Sequence, residues 1–337
     1  MTIISKISKQ ALIKTIEKIR MRIASRNFPT NRELIEICTQ ENICLIGEGN
    51  EPHLIHEILE TAVNRHLAQV HKNNSISREN RCQILAELEN LTKKLPPQSW
   101  RSNEQKKYQQ FSTPPAIAFV MTQMLKPEKG KTALEPSAGT GCLAVWLTIA
   151  GCRTFVNEIS ESRRGLLQIQ GYQPAKVDAE FLDDLLDEEI KPDFVLMNPP
   201  FSTSGGRCKK TDSDFGFRHV KSALARLKKG GRLVALLGSD TITKTDKGRK
   251  FLNEIAAEYD LKAVISLPAN AFYKYGTNFQ TCIVCIEKNQ QSTEVNECKK
   301  TKSIIEADCR SLEECLSFAH FSTSKANTSN IEPLIIK

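Results

Sequence analysis

Two features of the chain have residue types and spacing suited to chemistry. The first is Asn198-Pro199-Pro200-Phe201, which ends the apolar run 193–197. Two successive prolines hold the backbone extended and remove two amide donors, so the local carbonyls remain free to accept. An exocyclic amine entering here meets the Asn198 side-chain oxygen and the Pro199 carbonyl, each able to take one N–H. The nitrogen lone pair is then left to face an electrophile. Phe201 offers a flat surface on which an extruded base can stack.

The second feature is the stretch 132–151, where Glu135-Pro136 precedes a Gly139-Thr140-Gly141 turn and an apolar helical pattern follows. Glycine lets a ligand approach the backbone closely, and a helix start offers unpaired N–H groups. Glu158 ends the next apolar run, where a carboxylate can accept both hydroxyl protons of a ribose. A ribose-binding acid alone fits a nicotinamide dinucleotide and S-adenosylmethionine equally. Position 144 is Ala, however, so the full Gly-x-Gly-x-x-Gly is absent, and an acid beside the turn suits a sulfonium better than a pyrophosphate. Further on, Asp178 is a candidate acceptor for an adenine amino group, with Glu180 as the alternative. The two features together imply methyl transfer to an amine by one in-line displacement, with catalysis from positioning and fixed dipoles.

These residues need a scaffold that brings strand ends together. Candidate strands at 131–134, 154–157, 175–177, 193–197, 231–237, 261–267 and 280–286 alternate with candidate helices at 142–150, 161–170, 219–227 and 247–258. That alternation predicts an α/β fold with a doubly wound, mostly parallel sheet that binds ligands at the carboxyl ends of its strands. Only a short connection joins the last two candidate strands, so they are expected to pair antiparallel. Residues 1–94 carry apolar residues at helical spacing and predict a helical N-terminal unit; the proline-containing stretch 95–107 reads as a linker. Residues 289–337 read as a polar tail.

With 337 residues, 40% of them hydrophobic and 26% charged, the chain has the composition of an ordinary globular protein. No apolar run is long enough to span a bilayer, which points away from a membrane and toward the cytoplasm. Eleven cysteines at irregular spacing suit reduced thiols. Cys282 and Cys285 lie on opposite faces of a candidate strand with no further ligands nearby, so no metal is expected. A net charge of +8 is compatible with a polyanionic partner.

On these motifs the chain from about 108 to 288 resembles the amino-methyltransferases with an Asn-Pro-Pro-aromatic signature, and more narrowly the γ-type DNA adenine-N6 methyltransferases. That group includes modification subunits of type I restriction systems and the methyltransferase part of strawberry-notch-like proteins. The resemblance implies a Rossmann-like class I fold of seven strands with an antiparallel last strand, S-adenosylmethionine as cofactor and DNA as partner. It assigns Phe111, Thr113 and Pro114, within Gln110-Phe111-Ser112-Thr113-Pro114, to the methionine end of the cofactor. It likewise assigns Glu135, Pro136, Ser137, Ala138, Gly139 and Gly141 to the cofactor loop, Glu158 and Ile159 to the ribose, and Asp178 and Ala179 to the adenine. Asn198 to Phe201 take the catalytic place, and Phe272 or Tyr273 is expected to help hold the target base.

Contact with DNA phosphates falls to basic side chains, with Arg207, Lys209 and Lys210 in one loop and Lys244, Lys247, Arg249 and Lys250 in a second patch. Only about 50 residues follow Lys288, so target reading is expected to need the helical unit or a partner such as a specificity subunit or a helicase. The competing readings are methylation of RNA guanine N2 or of a protein glutamine, and a DNA-binding subunit active only with its partner.

Overall fold

The computed structural model describes residues 7–43, 53–72, 76–98, 111–201, 214–276, 279–289 and 304–320. Its helices begin with α1 (Lys9–Ala24), α2 (Asn31–Gln40), α3 (His53–Val70), α4 (Arg81–Lys94) and α5 (Pro115–Leu125). Strands and helices then alternate as β1 (Thr132–Glu135), α6 (Ala144–Ile149), β2 (Arg153–Val156), α7 (Glu161–Ile169), α8 (Leu182–Leu185), β3 (Phe194–Met197) and α9 (Phe215–Arg226). The remainder is β4 (Arg232–Gly238), α10 (Ser239–Lys244), α11 (Asp246–Glu258), β5 (Asp260–Ser266), β6 (Thr281–Glu287), β7 (Ile305–Asp308) and α12 (Leu312–Ser317).

The strands form one seven-stranded sheet in the order β2-β1-β3-β4-β6-β5-β7. Only β6 runs antiparallel to its neighbours β4 and β5; the other pairs are parallel. The parallel strands β1, β2 and β3 therefore end on the same edge, and Glu135, Glu158 and Asn198 sit at or just beyond those ends. Strands buried on both faces read as continuous apolar runs, as β3 and β4 do.

Two expectations are corrected. Residues 175–177 form no strand and meet the sheet through a single bridge, Asn157 with Ala175. The Asn157 side chain replaces the missing ladder: its Nδ2 donates to the carbonyls of Pro136 at 2.8 Å and Val177 at 2.9 Å, and its Oδ1 accepts from Val177 N at 2.9 Å. Residues 304–320, read as part of a polar tail, instead add β7 parallel to β5 and then α12. Leu312, Cys315 and Leu316 are buried there, with α12 packed on α5.

α5 is buried almost throughout and lies across β3, β4 and β6. Proline at its first position suits a helix start, where the missing N–H is not needed. Phe119 of α5 meets Trp146 of α6 at 5.1 Å between ring centroids. The N-terminal helices share one continuous core with this layer, because Ile16, Ile19, Leu54 and Ile58 pack in the same cluster as Phe119, Leu196 and Ile265. Over residues 95–98 the proline-containing stretch is held to the β5–β6 connection: Gln98 N donates to Lys274 O at 2.7 Å, and Lys274 Nζ to Leu95 O at 3.0 Å.

Candidate active site

The loop before α5, the turn after β1 and the loop after β3 converge on one pocket of about 550 Å³, open to solvent at its mouth. Phe111, Ser112, Thr113, Glu135, Ser137 to Thr140, Glu158, Asn198 and the two prolines line it.

Gly139 and Gly141 have φ of 55° and 90°, a region that side chains disfavour, and a Cβ at Gly141 would come within 3.1 Å of Leu167. Each acid is held by backbone donors of this turn or the next. Glu135 accepts from Ala144 N at 2.6 Å and is 2% exposed, so burial pushes its carboxyl well above the usual range despite that bond. Glu158 accepts from Gly139 N at 2.7 Å with one oxygen and from Ser160 N at 2.8 Å with the other. A carboxylate has about four lone-pair directions, so these bonds orient Glu158 while leaving acceptor capacity toward the pocket.

Asn198 is fixed from one side only. Its Nδ2 donates to Phe111 O at 2.9 Å and to Thr113 Oγ1 at 3.0 Å, while its buried Oδ1 has no hydrogen-bond partner among the described residues. Two acceptors around the nitrogen dictate which way the amide faces. The lone acceptor is the atom left over.

Phe201 lies 6.1 Å from Phe111, tilted, and 5.4 Å from Phe279 in a nearly parallel stack. The two expected late aromatics are placed differently. Phe272 is 2% exposed and packs edge-on against Tyr275 inside the core, since its neighbours turn it inward at the short helical turn Tyr273–Tyr275. Tyr273 is half exposed, with the Lys274 ammonium 5.9 Å from its ring centroid. Phe279 is the aromatic that reaches Phe201.

At the adenine end of the expected site, Asp178 caps a short turn by accepting from Glu180 N at 3.0 Å, Ala179 is buried, and Ile159 is exposed. Glu180 is engaged by Arg218 in an ion pair, which leaves Asp178 the better candidate of the two. Lys244 is exposed and paired with Asp240 at 2.7 Å. Arg207, Lys209, Lys210 and Gln110 lie outside the described residues. Among the described residues there is no group of three or more His, Cys, Asp or Glu side chains arranged to hold a metal ion, and no helix long and apolar enough to cross a membrane. Thr140, Cys142 and Arg163 line the pocket without having been singled out from sequence; the side chains of a turn and a helix start carry no pattern that marks them.

Residues 166–315 match the model of the N-6 DNA methylase family. The match implies a methyltransferase that uses S-adenosylmethionine. It covers less than half of the 337 residues and takes in Asp178, the Asn198 tetrapeptide, Phe279, β7 and the start of α12, but not the glycine turn or Glu158.

Among solved structures, the chain is similar to a Listeria monocytogenes protein assigned to the class I S-adenosylmethionine-dependent methyltransferases, at 14% identity over 90% of this chain and 93% of that one, with a TM-score of 0.47. It is also similar to TrmN from Thermus thermophilus, at 18% identity over 52% and 48% of the two chains with a TM-score of 0.38. A third similarity is to the methyltransferase subunit of a type I restriction-modification system from Streptococcus thermophilus, at 16% identity over 81% and 56% with a TM-score of 0.48. The chain thus spans about half the length of the second and third proteins. Similarity at this level carries no inference about substrate.

The pocket's own residues fit the cofactor that the N-6 DNA methylase match implies. Glu158 offers a carboxylate acceptor for ribose hydroxyls, Gly139 gives close backbone approach, and Glu135 and Asn198 line the same pocket.

Proposed function

We propose that this chain is a DNA methyltransferase that modifies N6 of an adenine turned out of the helix. The observation that carries the reading is Asn198: its amide nitrogen is anchored on Phe111 and Thr113, and its buried oxygen has no partner among the described residues. An unpaired buried acceptor costs about 1–3 kcal/mol, so its retention suits a ligand that donates an N–H.

When bound, S-adenosylmethionine supplies an electrophilic methyl group on a sulfonium. In the proposed reaction Glu158 holds the ribose, Asp178 takes the adenine amino group, and Phe111, Thr113 and Pro114 with the 135–141 turn hold the methionine end. The target amine donates one N–H to Asn198 Oδ1 and the other to the Pro199 carbonyl, which fixes its lone pair. Held there, the cofactor would supply its methyl group to this nitrogen, the S–C electron pair staying with sulfur and one proton of the amine passing to solvent. Phe201, stacked with Phe279, offers the aromatic surface against which the base lies.

Residues 108–288, completed by β7 and α12, are proposed as the catalytic unit, with Arg207, Lys209, Lys210 and Lys244 meeting phosphates. Reading of a target sequence is assigned to a partner, a specificity subunit or a helicase. Incubation of the purified chain with labelled S-adenosylmethionine and DNA, tRNA, rRNA or protein tests the proposal. Label recovered as N6-methyladenine in DNA is expected; label in RNA or protein alone overturns it.

A further inference from the structure

The helix α3 belongs to the N-terminal helical unit, yet one of its faces forms part of the wall behind the cofactor pocket. Glu57, Glu60 and Asn64 are spaced by three and four residues and so share a face. They are 2%, 4% and 2% exposed. Asn64 Nδ2 donates to the Thr140 carbonyl at 2.9 Å, and the Thr140 hydroxyl donates to Glu60 Oε2 at 2.8 Å. Arg163, on α7, donates through Nε to Glu57 Oε1 at 3.0 Å. Ser112, in the loop before α5, is near enough to Glu60 to favour its carboxylate form.

The partners of this face are telling. Ser112, Thr140 and Arg163 all line the pocket, and Thr140 is the central residue of the turn between Gly139 and Gly141. Glu60 therefore ties together two separate walls, the 111–114 loop and the glycine turn, from behind. Burying a carboxyl group is costly unless it is hydrogen-bonded. The bonds that satisfy Glu60 are made to pocket residues, and burial pushes its carboxyl up to about 7. The groups facing it are Glu57 on its own helix, Arg163 on α7, Cys142 beyond the turn and Tyr275 in the β5–β6 connection.

We infer that Glu60 is a positioning residue of the cofactor site, which with Asn64 holds the Ser112 and Thr140 walls at the separation that receives the cofactor. The inference rests on the reading of the pocket as a site for S-adenosylmethionine. It makes the N-terminal helical unit a determinant of cofactor affinity. By linkage, whatever shifts α3 changes that affinity, and the cofactor in turn stabilises the position of α3.

Calorimetric titration of the full chain with S-adenosylhomocysteine tests this. The wild type is expected to bind, with Glu60→Ala weaker by about tenfold or more and Glu60→Gln, which keeps a side-chain oxygen as acceptor for Thr140, within about threefold. Thr140→Val should weaken binding similarly, and combining it with Glu60→Ala should add little, because both remove the same contact. Wild-type affinity in Glu60→Ala overturns the inference and leaves the cofactor reading standing. Absence of binding by the wild type overturns both. If Glu60→Ala does not fold, Thr140→Val against Thr140→Ser decides: loss followed by recovery supports the inference, and unchanged affinity in both overturns it.

Discussion

The Asn198 side-chain amide donates to the Thr113 hydroxyl at 3.0 Å, joining residues 85 positions apart in the chain. This bond, with the one to the Phe111 carbonyl, makes the loop before α5 the device that orients the proposed catalytic amide. Removing the amide should therefore cost the reaction more than the cofactor. Asn198→Ala is expected to lower the rate of methyl transfer by about a hundredfold or more, on the scale of a lost transition-state hydrogen bond, with S-adenosylhomocysteine affinity within a few-fold of wild type. Single-turnover kinetics beside calorimetry separates the two, and an equal loss of both would remove Asn198 from its assigned role.

Thr113 acts one step back. Thr113→Val removes the hydroxyl acceptor and leaves Asn198 Nδ2 with one anchor, so the amide loses part of its fixed orientation. A fall of about tenfold in the transfer rate is expected, with recovery in Thr113→Ser, on the scale of one hydrogen bond. A rate in Thr113→Val equal to wild type would show that Phe111 O alone suffices.

The aromatic pair Phe272 and Phe279 should separate by readout. Phe272 is core, so Phe272→Ala is expected to lower stability by about 3–5 kcal/mol in urea unfolding. Phe279 is 39% exposed and stacks on Phe201. Phe279→Ala should leave stability within about 1 kcal/mol of wild type and raise the KM for DNA, since it removes aromatic surface rather than core. Matching stability losses would contradict this division.

Glu60 also predicts a pH dependence of stability. Burial raises its carboxyl from 4.5 to about 7 in the folded chain, so the native state binds the proton more tightly than the unfolded state. The stability this contributes is fully present below about pH 4.5 and is lost as pH rises toward 7, amounting to about 3 kcal/mol across that window. Glu135 is raised by burial too and acts in the same direction. Urea midpoints between pH 5 and 7 should fall less steeply for Glu60→Gln than for the wild type; parallel slopes would refute the assignment.

The segment after β6 contributes to the fold through α12. Leu316→Ala removes a side chain 1% exposed that packs in the main core cluster, and a loss of about 2–5 kcal/mol is expected by thermal or urea unfolding. A change below about 0.5 kcal/mol, the scale of surface substitutions, would show that this helix is only loosely attached.

Much of the site was readable because strand ends are readable. Apolar runs closed by Glu135, Glu158 and Asn198 mark where a parallel sheet presents side chains to a ligand, and the antiparallel pairing of β5 and β6 followed from their short connection. The adjacent prolines fixed the local backbone at Pro199 and Pro200 without tertiary help. Other features had no such periodic signal. The strand expected at 175–177 gave way to a side-chain ladder from Asn157, and β7 is too short and too mixed, as IEAD, to stand out. Within 267–279 no period distinguishes the buried ring of Phe272 from the ring of Phe279 that meets Phe201. On α3, Glu57, Glu60 and Asn64 resemble a solvated helix face until the helix is docked.

By itself the sequence determined the alternation of strands and helices over β1, β2 and β3 to β6, the acids and the acceptor-rich tetrapeptide at the sheet's edge, and hence the class of chemistry, because these depend on local periodicity and backbone restriction. Tertiary structure alone decided which way the Asn198 amide faces, which aromatic meets Phe201, and that an N-terminal helix is hydrogen-bonded to the glycine turn. Each of those depends on the hydrogen-bond partners and packing that distant segments bring, and no local pattern encodes them.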